Sequence, residues 1–203
     1  MKVLGILCSL TFLTAQTAFA AVGCTLNDPD RDIKRIFPQS TGYRTEFITI
    51  EERGGEPLAQ KIQERLGDRF DPVYESLDVP YAYYHVMNGK DVIGYVHGVN
   101  QKGMYGGMQL ILALDLEGKI VDFYYQRISS PEAKKFRDLK FTGAFVGLTL
   151  EDFLKADLLS DAQGNPIRDP SEKNAKDFTA TVRGLKKNLI LSQEFIFSKG
   201  ENP

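Results

Sequence analysis

The stretch from Tyr81 to Gln126 limits the fold more than any other part of the chain. Four runs rich in aromatic and β-branched residues follow one another there: Tyr81 to Met87, Val92 to Val99, Met108 to Leu114 and Ile120 to Gln126. Asn88-Gly89, a glycine-rich loop from Asn100 to Gly107, and Glu117-Gly118 separate them. Asn-Gly favours a two-residue hairpin turn, because both positions must tolerate positive φ. Connections this short cannot carry a parallel crossover, so the four strands are expected to pair as an antiparallel meander. A further strand is expected over Tyr43 to Ile50, where YRTEFITI comes close to alternation.

Helical signals flank this β region. Asn27 or Asp28 can cap a short helix with Pro29 in its first turn, and Phe37-Pro38 ends it. Leu58, Ile62, Leu66 and Phe70 recur every four residues, with Lys, Glu and Arg between them, which predicts an amphipathic helix over 57–70. Ser130-Pro131 and the Thr149/Asp152 pair mark further helix starts, and a last helix is expected from about Thr179 to Phe195. Residues 161–174, rich in Asp, Gly, Pro, Ser and Asn, read as an exposed loop. The expected class is α+β, an antiparallel meander with helices on one side or at its ends.

The first residues suggest export. Met1-Lys2, an apolar run from Val3 to Leu13, and Ala18-Phe19-Ala20 have the three parts of a cleavable signal peptide over 1–20. The remainder divides into an N-terminal extension, 21–80, and a domain over 81–203. With Cys8 in the leader, Cys24 is the one cysteine left, so no internal disulfide is expected. Gly23-Cys24 suggests a lipidation site, although Ala21 stands where such sites usually have Leu. The alternative is an ordinary unpaired cysteine. Membrane contact is expected only if Cys24 carries lipid. A net charge of −2 gives no basic footprint for nucleic acid.

Common catalytic patterns are missing from the sequence. The only histidines, His85 and His97, fall on expected strands with no HExxH or CxxCH around them, and neither a GxSxG elbow nor a Walker glycine loop occurs. Tyr81, Tyr83, Tyr84 and His85 either contact a ligand or cover half-buried sheet. Gly103, Tyr105, Gly106 and Gly107 either form a plain hairpin loop or let backbone and one ring approach a flat ligand.

Taken in order, several small motifs resemble the FMN-binding domain found in the flavin subunits of sodium-pumping NADH:quinone reductases and Rnf complexes, and in the periplasmic part of NosR-type regulators. They are the Gly103-Tyr105-Gly106-Gly107 loop, the strand pair around Asp115 to Ile120, Ser129-Ser130-Pro131 in place of a Glu-Thr-Pro segment, Phe141-Thr142-Gly143, and Thr179-Ala180-Thr181-Val182. The likeness spans roughly half the chain, from Gly94 to about Ile190. It implies FMN as cofactor, with the loop glycines and Tyr105 at the ring or phosphate and Ser129, Ser130, Thr181 and Arg183 around the phosphate end. It also implies electron transfer in the cell envelope, with a membrane redox complex or another electron-transfer protein as partner. Thr181 is the position for covalent FMN, but Phe178 and Thr179 stand where Ser/Thr and Gly are usual, and Ala175 where the flavin transferase motif has Asp. Arg183 either pairs with a phosphate or is a solvated helix residue. The altered motif leaves a second expectation open: a flavin-free envelope binding or interaction module that keeps the fold.

Overall fold

The computed structural model describes residues 24–155, 159–171 and 175–200. The expected leader lies outside these residues. The fold is α+β, built on one five-stranded antiparallel sheet in the order β1-β2-β3-β4-β5. The strands are β1 (Gly42–Ile48), β2 (Tyr81–Asn88), β3 (Asp91–Gly103), β4 (Gly106–Leu114) and β5 (Ile120–Ile128). Each strand pairs with the next in sequence, as a meander requires.

Two turns differ from expectation. The first hairpin turns on Gly89-Lys90, one residue later than Asn88-Gly89, since Asn88 pairs with Asp91 and Gly89 takes φ +61°. The glycine-rich segment is not a loop of eight residues. β3 and β4 continue through it in register, Asn100 opposite Gln109 and Gly103 opposite Gly106, so only Met104 and Tyr105 form the turn.

Alternation along the strands divides the core into two layers. Tyr81, Tyr83, Val99, Leu110, Leu112 and Phe123 point to the larger one. Ala82, Tyr84, Val86, Val96, Ile111 and Ala113 point to the smaller. The larger layer is covered by α7 (Lys176–Phe195), with α3 (Gly55–Leu66) packed beside it. Gly184 lets α7 sit close to the sheet: a Cβ there would lie 2.8 Å from Leu110 Cδ1. The smaller layer is covered by α1 (Pro29–Ile36) and the residues on either side of it, which contribute Cys24, Leu26, Ile33 and Phe37. Asp28 caps α1 by accepting from the Arg31 N–H, and Pro29 opens the first turn.

Residues 24–80 are therefore integral to the sheet fold rather than an appendage. β1 forms its edge, and α3 extends the α7 layer. Past β5 come α4 (Ala133–Phe136), α5 (Leu139–Gly143) and α6 (Leu150–Lys155). Thr149 donates through both its backbone N–H and its hydroxyl to the Asp152 carboxylate, which sets the start of α6. The stretch expected as an exposed loop is in part a small hairpin: Ser160 bridges Pro166, and Asp161 accepts from the Gln163 and Asn165 N–H groups.

Candidate functional site

The eight residues singled out for a flavin fall on the β3–β4 turn, the end of β5 and the first half of α7. Several of them are packed against other side chains of the protein, while Tyr105 is exposed at the tip and Gly107 borders a small cleft of about 280 Å³ beside Tyr74 and Arg127. Gly103 is packed against Met108 and Asp177, so that a Cβ there would come within 2.3 Å of Met108 Cε. Gly106 (φ +133°) lies over Ser129, and Gly107 over the Tyr74 ring and hydroxyl. Asp177, buried at the start of α7, accepts from the Met104 N–H at 2.8 Å and so fixes the turn. Tyr105 is about half exposed at the tip. Ser130 Oγ accepts from the Glu132 N–H, which uses it as a local turn partner before α4.

Thr181 is fully buried. Its hydroxyl lies 2.7 Å from Tyr125 Oη and donates to the Asp177 carbonyl at 2.8 Å. Arg183 is neither a solvated residue nor a free anion clamp. Its Nε donates to Asp68, Nη1 to Glu75 and Gln101, and Nη2 to the Arg69 carbonyl and Glu75. A guanidinium has five N–H donors, so this set uses all of them.

These contacts do not fit an FMN phosphate. Its place would require a reachable hydroxyl at Thr181 and free donors at Arg183, and both are committed within the protein. The close approach that the loop glycines allow is filled by Met108, Ser129 and Tyr74.

The residue that organises this region, Glu75, was not among those the sequence marked. It lies between α3 and β2, where the sequence suggests only a connector, and it is 1% exposed. Its carboxylate receives Arg183 end-on through Nη1 and Nη2, accepts the Lys187 ammonium, and takes the Asp71 N–H at 2.6 Å. Lys187, also 1% exposed, donates to the Asn100 carbonyl as well. Burial pushes the Glu75 carboxyl up, but Arg183 and Lys187 outweigh it and hold it below its ordinary value. Arg183 and Lys187 are four apart on the core-facing side of α7, among Gly184, Leu185 and Asn188. Cations on that face were the one sequence signal that a buried carboxylate would be found opposite them.

The polar seam continues along α7. His97 stacks on Tyr83 with centroids 3.9 Å apart, and burial lowers its pKa to about 3, so the ring is neutral. Its Nδ1 faces the Ala82 carbonyl, and Asn188 donates to its backbone carbonyl. Tyr81, Tyr83 and Tyr84 are buried. They serve as core and do not line a ligand site.

Cys24, the cysteine offered either as a lipidation site or as an ordinary unpaired residue, is packed in the core. It is 2% exposed in the smaller layer, and its Sγ is so close to Gly98 that a Cβ there would stand 2.7 Å away. Burial pushes the thiol up to about 12. A thioether-linked lipid at this sulfur would have to leave the core.

A cleft of about 870 Å³ lies elsewhere, between α5 and the 161–170 segment. Leu139, 85% exposed, and Phe141 give it an apolar side, and Lys140 and Arg168 line it without an ion-pair partner among the described residues. It includes none of the eight residues. Among the described residues, no group of three His, Cys, Asp or Glu could hold a metal, and no helix is long and apolar enough to cross a membrane. No family model matches the chain, and no curated protein matches it.

Proposed function

We propose that this chain is a flavin-free binding or interaction module of the cell envelope, an α+β sheet protein of FMN-binding type whose phosphate place is built over by its own side chains. The observation that carries this reading is Arg183: all five of its donors are satisfied by Asp68, Glu75, Gln101 and the Arg69 carbonyl. The buried Thr181 hydroxyl supports it, because a transferase has no open face from which to reach that oxygen.

Without a flavin, the module has no redox group of its own among the described residues. Its ligand would be held by the cleft beside α5, whose volume falls in the usual range for small-molecule sites. Leu139 and Phe141 suit an apolar body, and Lys140 with Arg168 suits an attached anionic group. The cleft's carboxylates compete less than their number suggests. Asp138 accepts from the Lys140 N–H, Asp161 from its own turn, and Asp169 from the Ser171 N–H.

The test is an equilibrium titration of the purified exported chain with FMN, followed by flavin fluorescence. No saturable quenching is expected. Saturable binding that is lost in Arg183→Ala or Thr181→Val would overturn the reading. Binding lost in Lys140→Ala and Arg168→Ala would instead place a non-covalent flavin in the cleft, and would also count against it.

A further inference from the structure

The sheet has two edges, and they are finished differently. On β5, Ile120 exchanges backbone hydrogen bonds with Gly147 and Leu148, and Arg137 donates to the Tyr125 carbonyl at 2.6 Å. On β1, no backbone group of another described segment bonds the outer side. Seven residues of extended main chain are left with an open edge, and such an edge is a template for another strand.

The sequence of that edge indicates which strand it suits. β1 reads GYRTEFI. Laid antiparallel against its own copy about a two-fold axis at Thr45, Arg44 falls opposite Glu46 of the second copy and Tyr43 opposite its Phe47. Thr45 falls opposite itself. Opposite charges, aromatic pairs and Thr–Thr pairs are the favourable cross-strand combinations, and here all three occur in one register. Period-two alternation keeps each pair on a common face: Arg44 and Glu46 on one, Tyr43, Thr45 and Phe47 on the other.

We infer that β1 is a self-association edge, through which two copies of this chain join their sheets into one continuous ten-stranded sheet about a two-fold axis at Thr45. Two features of the single chain support this. Phe47 is 58% exposed, the kind of ring that an edge partner covers. Arg44 is exposed and has no ion pair among the described residues, while Glu46 is oriented from behind by His85 Nε2 at 2.9 Å. The contact is isologous, so it closes at two copies, and β5 is partly covered in each by Gly147, Leu148 and Arg137.

Sedimentation of the full exported chain, at concentrations up to roughly 1 mM to cover weak association, should show a reversible monomer–dimer equilibrium. Arg44→Glu or Glu46→Arg alone should weaken association about tenfold, since each places like charges opposite each other twice. The double swap R44E/E46R should restore it. Thermal melts of each variant check that the fold survives the loss of the Glu46–His85 contact. Under mild oxidation, Thr45→Cys should give a disulfide-linked dimer, because directly opposed residues lie within disulfide reach. Gly42→Cys is the register control. Its Cβ position is open, but its two copies would stand roughly 20 Å apart, so it should not cross-link. A chain that stays monomeric at every concentration overturns the inference, even if it captures an unrelated strand. Equal cross-linking of Thr45→Cys and Gly42→Cys, or a double swap no better than the singles, overturns it too. None of these readouts depends on flavin, so they stand or fall apart from the reading of the α7 region.

Discussion

The two faces of the sheet are solved by different chemistry. The smaller layer, under α1, is mainly apolar, with the buried Asp32 carboxylate bonded by Tyr124 and the Tyr84 hydroxyl by the Leu26 N–H, and its cysteine behaves as a small buried hydrophobe. The layer under α7 has a comparable apolar body but is threaded by Glu75, Arg183, Lys187, Asn188, His97 and Thr181. Three buried polar atoms on or beside α7, Tyr81 Oη, His97 Nε2 and Asn188 Oδ1, have no partner among the described residues. The first face has local polar contacts, such as Tyr124 with Asp32, but no buried cation among the described residues. The second spends polar pairing on holding one connector, residues 67–80, against a helix more than a hundred positions later. A buried ion pair is weak evidence of added stability, yet removal of one partner is strongly destabilising because it leaves the other charge buried.

This contrast can be broken by substitution, and the largest effect is expected at Glu75. Glu75→Ala leaves Lys187 buried without its carboxylate and Arg183 with Asp68 as its one remaining carboxylate partner, and should cost about 3–5 kcal/mol in urea unfolding. If the cluster is a unit, Glu75→Leu combined with Lys187→Met should cost less than the sum of the single changes. A strictly additive result would show that the groups act separately.

On the apolar face the expected effect is smaller. Cys24→Ser places a hydroxyl without a partner in the core beside Gly98, and should cost about 1–3 kcal/mol. Extraction of the wild-type protein in detergent should also yield an unmodified Cys24 by intact mass. Smaller again is Thr181→Val, which removes one buried hydrogen-bond partner of Tyr125 and should cost about 1 kcal/mol.

The faces should also respond differently to pH. Glu75 is held below its ordinary value when folded, so its contribution is fully present above the unfolded carboxyl range near 4.5 and is lost as pH falls through the lower folded value. The stability gap between wild type and Glu75→Gln should therefore narrow below about pH 4.5. The gap between wild type and Cys24→Ser should stay flat over the same range, since that thiol titrates only far above it. Parallel curves for both variants would remove the distinction between the faces.

What the sequence made legible follows the same division. Near-alternation marked β1, aromatic and β-branched runs between turn signals marked the other four strands, and the run Leu58–Ile62–Leu66 with the Asp28 cap marked α3 and α1, because these signals are local. The glycine-rich turn was misjudged in length, since Gly103, Gly106 and Gly107 read as loop residues, whereas β3 and β4 pair through them. The Glu75 cluster was not legible. Its carboxylate finds Arg183 at a separation of 108 residues and Lys187 at 112, and nothing around Glu75 in the chain announces either. The resemblance to FMN-binding domains was read from motif order, which carries no information on whether Thr181 faces outward or is buried.

The most direct test is the flavin content of the full chain after co-expression with a flavin transferase and ample FMN. Denaturing-gel fluorescence and acid extraction together report covalent and bound flavin. A dark band and an extract free of flavin are expected. A fluorescent band that disappears in Thr181→Val would contradict it, because that hydroxyl would then have been reached where the structure keeps it bonded to Tyr125 and Asp177.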